Sequence, residues 1–408
     1  MANALLTPDM ITREALRILH QKLNFVGNIN RQYDDSFAKD GAKIGDALRI
    51  RLPNRFNVRS GATMGSSGAA NDVTETSTTL TINKQKGVDM YFGSAELTLK
   101  LDDFSSRIIE PAMSVLAANI ESDAFSMYKD VAQQTNTAGT PMTTLLQVLE
   151  AGARLDNSLA PRDNNRKLLV NPTAQAKLVD AVKGLFQDSS KISEQYRDGI
   201  IGRAAGFDWY TNTMMPTYAS TNAALAAAAT SVTAITEGSS TFTCAGVTGQ
   251  TLAAGAVITF SNVFEVHPET RDSTGRLMQF VVTNSVVAAT SLFTGVTVSP
   301  AWKASATDPQ RNVNIIPIVG TSTVTSYSGG LAVSSQQNLA FHKDAFCFAT
   351  ADLIMPKGVD FASRQVMDGI SMRVVRAYDI VNDQMPCRID VLYGYKTIRP
   401  QLATRISD

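Results

Sequence analysis

The sequence predicts an α+β chain that is interrupted by an inserted all-β domain. Residues 141–216 alternate helix and strand signals, as expected of a compact α/β unit. From residue 217 to residue 335 charges become sparse, Thr, Ser, Val, Ala and Gly dominate, and helical periodicity is almost lost. From about Asn338 the mixed character returns and ends in long alternating segments. This order of element types predicts an α+β body with a β-barrel or sandwich inserted into it.

The composition excludes several classes of function. The 408 residues contain 37 Lys+Arg and 37 Asp+Glu, so the formal net charge is zero, and only 18% of the residues are charged. A tight grip on nucleic acid needs clustered Lys and Arg and is therefore not expected. The three cysteines, Cys244, Cys347 and Cys387, lie far apart, which argues against a disulfide framework and a zinc site. The N-terminus lacks a signal-peptide pattern and no apolar run could span a bilayer, so a soluble cytosolic product without membrane contact is expected.

The N-terminal part predicts two elements that need a partner surface. Residues 9–24 place apolar side chains at helical spacing and are followed by a polar, turn-rich segment. We expect an arm helix that packs on a neighbouring molecule or on a distant part of its own chain. Residues 46–58 and 73–92 alternate, with Gly, Ser and Ala between them, which predicts a long hairpin with a flexible tip. Two strands alone are marginal in water, so the hairpin is expected to lie against another molecule.

The clearest helical period covers residues 102–134. Asp102 or Asp103 is expected to cap its start, and Pro111 to break or kink its first two turns. Two further helices, at 143–157 and 171–186, are expected to flank a buried strand at 166–170. Asn171 is the expected cap of the second of these helices, with Pro172 at its first helical position.

The rest of the chain predicts strands. In the insertion they are expected at residues 257–266, 278–287, 291–300 and 312–320, while the Ala/Thr-rich stretch 219–234 is either a linker or a strand pair. Residues 338–350 and 351–356 are strand-like, and 371–381 and 387–400 form a long antiparallel pair. The last strand is expected to separate apolar from charged side chains, with Ile389, Val391, Tyr393 and Tyr395 on one face and Arg388, Asp390 and Lys396 on the other.

No motif of known chemistry is present. The three histidines are not at metal-ligand spacing, and the sequence has no nucleophile elbow, Walker loop or dinucleotide-binding glycine motif. The glycines Gly199, Gly202 and Gly206 are expected to serve turn geometry. Without a nucleophile, a base and an orienting group, we expect no catalytic, cofactor-binding or metal site, and no enzyme.

Several segments resemble one family. They are residues 194–216, with Arg197-Asp198-Gly199 and Ala205-Gly206-Phe207-Asp208, the stretch 338–356, and residues 387–406, with Tyr393-Gly394 and Arg399-Pro400. Together with the β insertion, their order resembles the major capsid (coat) protein of tailed double-stranded DNA bacteriophages, in the P22-like branch of the short-tailed Salmonella phage. The N-terminal 90 residues are similar only in organisation.

The resemblance implies the HK97-like major capsid fold. The implied domains are 1–40 N-arm, 41–93 E-loop, 94–140 spine helix of the P-domain, 141–216 A-domain, 217–335 inserted β-barrel I-domain, 336–362 return of the A-domain and 363–408 long P-domain strands. It implies self-assembly of hexameric and pentameric capsomers into an icosahedral shell, with T=7 a possible triangulation number. The implied partners are a scaffolding protein, a portal protein and enclosed double-stranded DNA without sequence-specific binding, in a virion assembled in the host bacterial cytoplasm.

Two charged segments are candidates for contacts between subunits, where charge pairs set register more than affinity. On the hairpin the candidate residues are Arg49, Arg51, Arg55 and Arg59. In the loop 265–276 of the insertion they are Glu265, Glu269, Arg271, Asp272 and Arg276, which by resemblance meet a neighbouring capsomer. The alternative for both sets is that the side chains are merely solvated.

Two other functions remain open from the sequence. One is an encapsulin, a cellular shell of the same fold that encloses cargo enzymes. The other is a different virion component or an adhesin that binds a ligand through the β domain. The β insertion and the matching segments favour the phage coat protein.

Overall fold

The computed structural model describes residues 8–32, 47–56, 58, 62, 75–93, 108–182, 202–220, 230–328, 333–359, 361–367, 369–381 and 384–408. In these ranges the helices are α1 (Pro8–Lys22), α2 (Phe25–Asn28), α3 (Glu110–Phe125), α4 (Leu145–Asn157) and α5 (Pro172–Val182). The strands are β1 (Asn30–Gln32), β2 (Ala47–Arg51), β3 (Ser77–Thr81), β4 (Lys84–Gly93), β5 (Gln134–Thr135), β6 (Arg166–Val170), β7 (Arg203–Ala204), β8 (Phe207–Thr211), β9 (Thr217–Ala219), β10 (Thr230–Ile235), β11 (Thr241–Ala245), β12 (Thr251–Leu252), β13 (Val257–Val266), β14 (Ser273–Val282), β15 (Val286–Val287), β16 (Leu292–Ser299), β17 (Thr323–Ser326), β18 (Ser334–His342), β19 (Phe346–Ala351), β20 (Phe361–Met367), β21 (Ile370–Arg376), β22 (Gln384–Thr397) and β23 (Ala403–Ser407).

The chain divides into two compact units. The first consists of Met1–Ile50, Ser77–Phe125 and Phe346–Ile398, and the second of Arg51–Thr76, Ser126–Ala345 and Arg399–Asp408. Each unit is therefore built from segments that are distant in sequence, and long-range pairing holds it together.

A six-stranded sheet forms the centre of the first unit, in the order β1-β19-β22-β21-β20, with β4 also paired to β22. The predicted long pair is confirmed, because β21 and β22 are antiparallel with Arg373 opposite Asp390. The predicted arm helix, α1, packs against β20 and α3 of its own chain, where Ala15 and Leu19 are fully buried. The sequence left two packing surfaces possible for this helix, a neighbouring molecule or a distant part of its own chain. The structure shows the second.

The described α-helix begins at Glu110, and residues 102–107 lie outside the described residues, so the break or kink expected at Pro111 stays a prediction. Proline is tolerated in a first turn, where its missing N–H has no intrahelical acceptor. The helix ends at Phe125 and continues as a 3-10 turn to Asp130, so it ends earlier than the predicted residue 134. The predicted caps Asp102 and Asp103 lie outside the described residues.

A buried carboxylate joins the start of the chain to this helix. The Glu121 side chain is buried, and its Oε1 accepts the backbone N–H of Phe25 at 2.6 Å. The rings of Phe25 and Phe125 stack with their centroids 4.6 Å apart. The helical period had predicted an apolar buried face and could not show that a carboxylate lies in it.

The predicted hairpin is confirmed in part. Among its described residues β2 and β3 pair with each other, and the second half of the alternating segment 73–92 becomes β4, which runs antiparallel to β22. Leu80 and Ile82, at the end of β3, are buried among apolar residues of β19 and β22. The described end of the hairpin thus rests on the sheet of its own chain, which supplies the apolar surface that two strands alone lack.

Gly394 allows this close approach. A Cβ built on Gly394 would overlap the carbonyl oxygen of Thr81 and lie 3.0 Å from the Cα of Ile82. Both neighbours are backbone atoms and cannot rotate away. Steric crowding therefore explains the glycine of the Tyr393-Gly394 motif, because a side chain at this position would collide with the backbone of Thr81 and Ile82.

We expect Gly394→Ala to lower the free energy of unfolding by about 1–3 kcal/mol, since β3 must move away from β22 to admit the methyl group. Urea unfolding of the unassembled subunit measures the loss. Gly27→Ala is the matched control, because a Cβ at Gly27 meets nothing within 4 Å. Equal unfolding midpoints for the Gly394 variant and the wild type would contradict the steric explanation.

The second unit holds a mixed sheet in the order β5-β23-β18-β6-β8-β7, with β9 also paired to β18. The predicted strand 166–170 is confirmed as β6, and its neighbour β8 runs parallel to it. The predicted cap is confirmed as well, because Asn171 Oδ1 accepts the N–H of Thr173 at 2.8 Å at the start of α5. The predicted strand 338–350 is in fact two strands, β18 and β19, which belong to different sheets.

The insertion forms a closed barrel in the order β10-β11-β16-β14-β13-β17. Its core is aromatic: the ring centroid of the fully buried Trp302 lies 5.7 Å from Phe242, 5.7 Å from Phe260 and 5.4 Å from Phe280. The predicted strand 312–320 is wrong, since the structure shows there only an isolated bridge between Val313 and Glu265. Strands β10 and β17 take part in the closure instead, and β10 begins inside the Ala/Thr-rich stretch.

Buried polar groups tie the barrel to the sheet of the same unit. Gln134 and Gln279 exchange two hydrogen bonds, of 2.8 Å and 3.0 Å, between the backbone of the first and the amide of the second. Arg405, fully buried on β23, donates from Nη1 to the carbonyl of Gly255 at 2.9 Å. Burial lowers the pKa of Arg405 to about 10. The barrel is thereby fixed through directional hydrogen bonds at its junction with the sheet.

Candidate intersubunit surface

The predicted hairpin arginines make weak contacts within their own chain. Arg49 Nε donates to Ser77 Oγ at 2.8 Å, and Arg51 Nη1 lies 3.5 Å from Glu75 Oε2. The side chains of Arg51 and Glu75 are 77% and 55% exposed. Exposed pairs of this kind contribute little to stability, so these charges are available to a partner at small cost.

Arg55 belongs to the segment 52–56 that follows β2, and its side chain is exposed. Arg59 lies outside the described residues. The hairpin arginines therefore remain predicted contacts. Arg55 is the one for which the structure shows charged neighbours from other segments.

The charged loop of the barrel is the turn between β13 and β14. The N–H of His267 donates to the carbonyl of Asp272 at 3.0 Å, and the N–H of Arg271 donates to the carbonyl of His267 at 2.9 Å. Nδ1 of His267 accepts the N–H groups of Glu269 and Thr270, at 3.3 Å and 3.2 Å. Hydrogen bonds within the turn thus set its shape, while the side chains of Glu269 and Asp272 are exposed.

The base of the loop is an ion pair. Arg276 Nη2 lies 3.0 Å from Glu265 Oε2, and both side chains are largely shielded. Arg154, on α4, lies near them: burial first, and then the positive charge of Arg276, holds its pKa below the usual range. Glu265 and Arg276 therefore have partners in their own chain, whereas Glu269 and Asp272 point their charges to solvent. Nothing in the sequence pointed to Arg154, because more than a hundred residues separate it from the loop.

The two predicted segments meet. Arg271 Nη2 donates to the carbonyl oxygen of Phe56 at 3.2 Å and to that of Pro309 at 3.3 Å. Arg55 precedes Phe56 in the chain. Its pKa is held below the usual range first by desolvation from the protein atoms packed around its partly exposed side chain, and then by the positive charges of Arg399 and Arg271. The segment 52–56 and the barrel loop are thus in contact. From the sequence, Arg399 stood out only as part of the Arg399-Pro400 motif and was not expected near the hairpin.

The thiols are shielded. Burial raises the pKa of Cys244 to about 12 and that of Cys387 to about 11. Because the thiolate is the reactive form, both cysteines are poor nucleophiles near neutral pH. In the part of the chain that the structure describes, no group of three or more His, Cys, Asp or Glu side chains is placed to hold a metal ion. Among the described helices, none has the length and apolar character to cross a bilayer.

A family model described as P22 coat protein, gene protein 5, matches residues 28–405. No curated protein matches the chain. Similar solved structures come from Mycobacterium phage Che8 (13% identity, 94% of this chain and 90% of that chain, TM-score 0.47), from the mature capsid of bacteriophage PhiM1 (11%, 94% and 86%, 0.45) and from a virus-like particle of Pyrococcus furiosus (9%, 97% and 97%, 0.41).

Proposed function

The chain belongs to the P22 coat protein family, and from that membership we propose how it performs the structural role of a major capsid protein. The match covers residues 28–405, so it includes both sheets and the barrel. The HK97-like fold with an inserted β-barrel, expected from the sequence, is confirmed by that membership. The protein is a structural component of a bacteriophage icosahedral capsid, and its location is the virion.

We propose that copies form hexameric and pentameric capsomers of an icosahedral shell that encloses double-stranded DNA. Assembly in the host bacterial cytoplasm would use a scaffolding protein and a portal protein, and the resulting procapsid would expand on maturation. The zero net charge supports the role of container, because a shell that bound DNA tightly would hinder its packing and release. The same role includes no enzymatic activity.

We propose the domain assignment that the resemblance implied. The barrel strands run from Thr230 to Ser326 and fall inside the proposed inserted domain 217–335. Helix α3 falls inside the proposed spine-helix segment 94–140, and β20 to β22 run through the proposed P-domain strands. The proposed E-loop 41–93 includes β4, which is paired to β22 of the P-domain, so the part that reaches away from the body is expected to end before Lys84.

The encapsulin alternative is less well supported than the phage coat, because the family that matches is a phage coat family. Neighbouring genes distinguish the two: a phage coat gene lies beside terminase, portal and scaffold genes, and an encapsulin gene lies beside a cargo enzyme. An adhesin or other virion protein would remain a monomer or small oligomer in solution.

The family match over residues 28–405 is the observation that carries the proposal. We expect the full chain, co-expressed with the scaffold gene next to it, to give closed polyhedral particles by electron microscopy. The chain expressed without that gene is the control for dependence on a scaffold. Monodisperse monomers in both preparations would contradict the shell-forming role.

A further inference from the structure

The barrel rests on the sheet of the second unit through buried polar groups. Gln134, on the edge strand β5, is fully buried, and its Oε1 accepts a hydrogen bond from the hydroxyl of Ser328 at 3.1 Å. Its backbone bonds with Gln279 and the bond from Arg405 to the carbonyl of Gly255 belong to the same contact. Among the described strands, none of the barrel pairs with one of the sheet. We call these five residues the polar junction.

Hydrogen bonds of this kind set the orientation of two layers more than they stabilise it. Each bond replaces one that the same groups would make with water if the layers separated, so its net contribution is small. Polar contacts between domains permit relative motion, whereas a large apolar interface opposes it. The contact of the barrel loop with the segment 52–56 is polar as well, since Arg271 binds the carbonyl of Phe56 through an exposed hydrogen bond.

Arg405 makes the docked arrangement unfavourable for its own charge. The side chain is fully buried, and Nη1 donates to the carbonyl of Gly255 at 2.9 Å. Nε and Nη2, the fork edge that suits a carboxylate, have no hydrogen-bond acceptor among the described residues. Burial lowers the pKa of Arg405 to about 10, and the smaller opposing influences come from Tyr128, Tyr218 and Asp130. Separation of barrel and sheet would return water to the two unused donors.

The polar layer continues along the sheet. Ser407 lies two positions from Arg405 on β23 and so shares its face. Its Oγ accepts hydrogen bonds from Gln134 Nε2 at 2.7 Å and from Gln337 Nε2 at 3.2 Å. Gln337, opposite Ser407 on β18, is buried, and its Oε1 has no hydrogen-bond partner among the described residues. The face that the barrel covers thus has the composition of a surface that meets water rather than that of an apolar core.

The two covalent connections of the barrel run side by side. Strands β9 and β18, which lead to and from the barrel, pair with each other, with Ala219 opposite Ser334. The first and last barrel strands, β10 and β17, also pair, with Thr230 opposite Val324. The residues that join these two pairs lie outside the described ranges. Two adjacent crossings tether a domain on one side and leave it free to turn about them, as in a hinge.

We propose that the polar junction is a reversible latch, at which the barrel separates from the sheet as a folded body and turns about its two adjacent crossings. Water then reaches Arg405 while the strands of barrel and sheet stay paired. This motion belongs to the single subunit and goes beyond the role of the chain in a shell. It allows one folded chain to carry its barrel in more than one orientation.

Native-state hydrogen exchange of the full, unassembled wild-type subunit measures this opening. The N–H of Gln134 is the reporter, because its acceptor is Gln279 Oε1 on the other side of the junction. Amides of β14 report unfolding of the barrel, and amides of β6 report unfolding of the sheet. We expect the Gln134 amide to exchange about tenfold or more faster than both, below the urea concentration of global unfolding. Exchange of Gln134 in step with β6 or with β14 would overturn the proposal, because the junction would then open only by unfolding.

Fraying of β5 alone would also expose the Gln134 amide, and the urea dependence distinguishes the two motions. Separation of the barrel exposes the covered face of the sheet, so exchange is expected to accelerate with urea, though less steeply than for global unfolding. Fraying of a two-residue strand exposes little surface. Exchange of Gln134 that does not respond to urea would therefore reject the latch.

Arg405→Met tests the part played by the buried charge. We expect exchange at Gln134 to slow about tenfold or more, because the docked state no longer holds an unpaired guanidinium. Arg405→Lys is the matched control, since it keeps a buried charge and is expected not to slow exchange. Unchanged or faster exchange in Arg405→Met would show that Arg405 holds the barrel in place, and would overturn the latch. Circular dichroism checks folding, and the wild-type urea dependence decides if the methionine variant is misfolded.

Discussion

Replacing Asp390 with Ala is expected to lower the free energy of unfolding by about 3–5 kcal/mol and to abolish shell formation. Asp390 lies on β22 in the centre of the first unit's sheet and is almost fully buried. Its Oδ2 lies 2.7 Å from Arg373 Nη2, and its Oδ1 lies 2.7 Å from Arg388 Nε. Without the carboxylate, the shielded Arg373 loses the counter-charge that lies 2.7 Å from its Nη2.

Urea unfolding of the unassembled Asp390→Ala subunit, followed by circular dichroism, measures this loss, and electron microscopy measures the shells. Asp390→Asn keeps the volume and is expected to lose less, because the amide oxygen still accepts one hydrogen bond. Glu14→Ala is the matched control: it removes an exposed ion pair with Arg17 on α1 and is expected to leave the midpoint unchanged. An Asp390→Ala subunit that unfolds at the wild-type midpoint would show that the two arginines find water or other acceptors at no cost.

Replacing Trp302 with Ala is expected to destabilise the barrel by about 3–5 kcal/mol. Trp302 is fully buried and contacts three phenylalanine rings, those of Phe242, Phe260 and Phe280. These rings come from three different strands, so the cavity left by the indole lies where the sides of the barrel meet and cannot collapse without moving a strand.

Limited proteolysis with mass spectrometry measures the effect, since cuts between residues 230 and 328 report opening of the barrel. The chain has two tryptophans, so in the Trp302→Ala variant the fluorescence of Trp209, on β8, reports the sheet alone. We expect new cuts in the barrel at a urea concentration where Trp209 fluorescence is still native. Val287→Ala, on β15 of the insertion at a position that is 60% exposed, is the matched control and should leave the digest unchanged. Simultaneous loss of the Trp209 signal would show that barrel and sheet unfold as one cooperative unit.

The charged segments of the candidate surface were found from the sequence because they stand out locally. The loop 265–276 carries charges within a domain that has few, and the hairpin arginines recur at alternate positions of a strand. Their meeting through Arg271 and Phe56 was not predictable, because 215 residues separate these two positions. Arg399 and Arg154 were missed for the same reason, since each is an ordinary residue in its own segment.

Two errors have one physical origin. The predicted hairpin strand 73–92 was split, because its second half pairs with β22. The strand at 338–350 was divided between two sheets. Alternation along a strand indicates that its two faces differ, and does not indicate which strand pairs beside it.

The sequence alone determined the elements that depend on neighbours two to four positions apart: the arm helix, the cap at Asn171, the antiparallel pair β21–β22 and the β character of the insertion. Through the resemblance of its motifs it also determined the coat protein family. Only the tertiary structure decided the depth of Asp390, the close approach at Gly394, the closure of the barrel around Trp302 and the gathering of arginines beside Phe56. These features depend on contacts between segments that are distant in sequence. The packing of the whole unit sets the geometry of such contacts, so no single segment shows a residue pattern that predicts them.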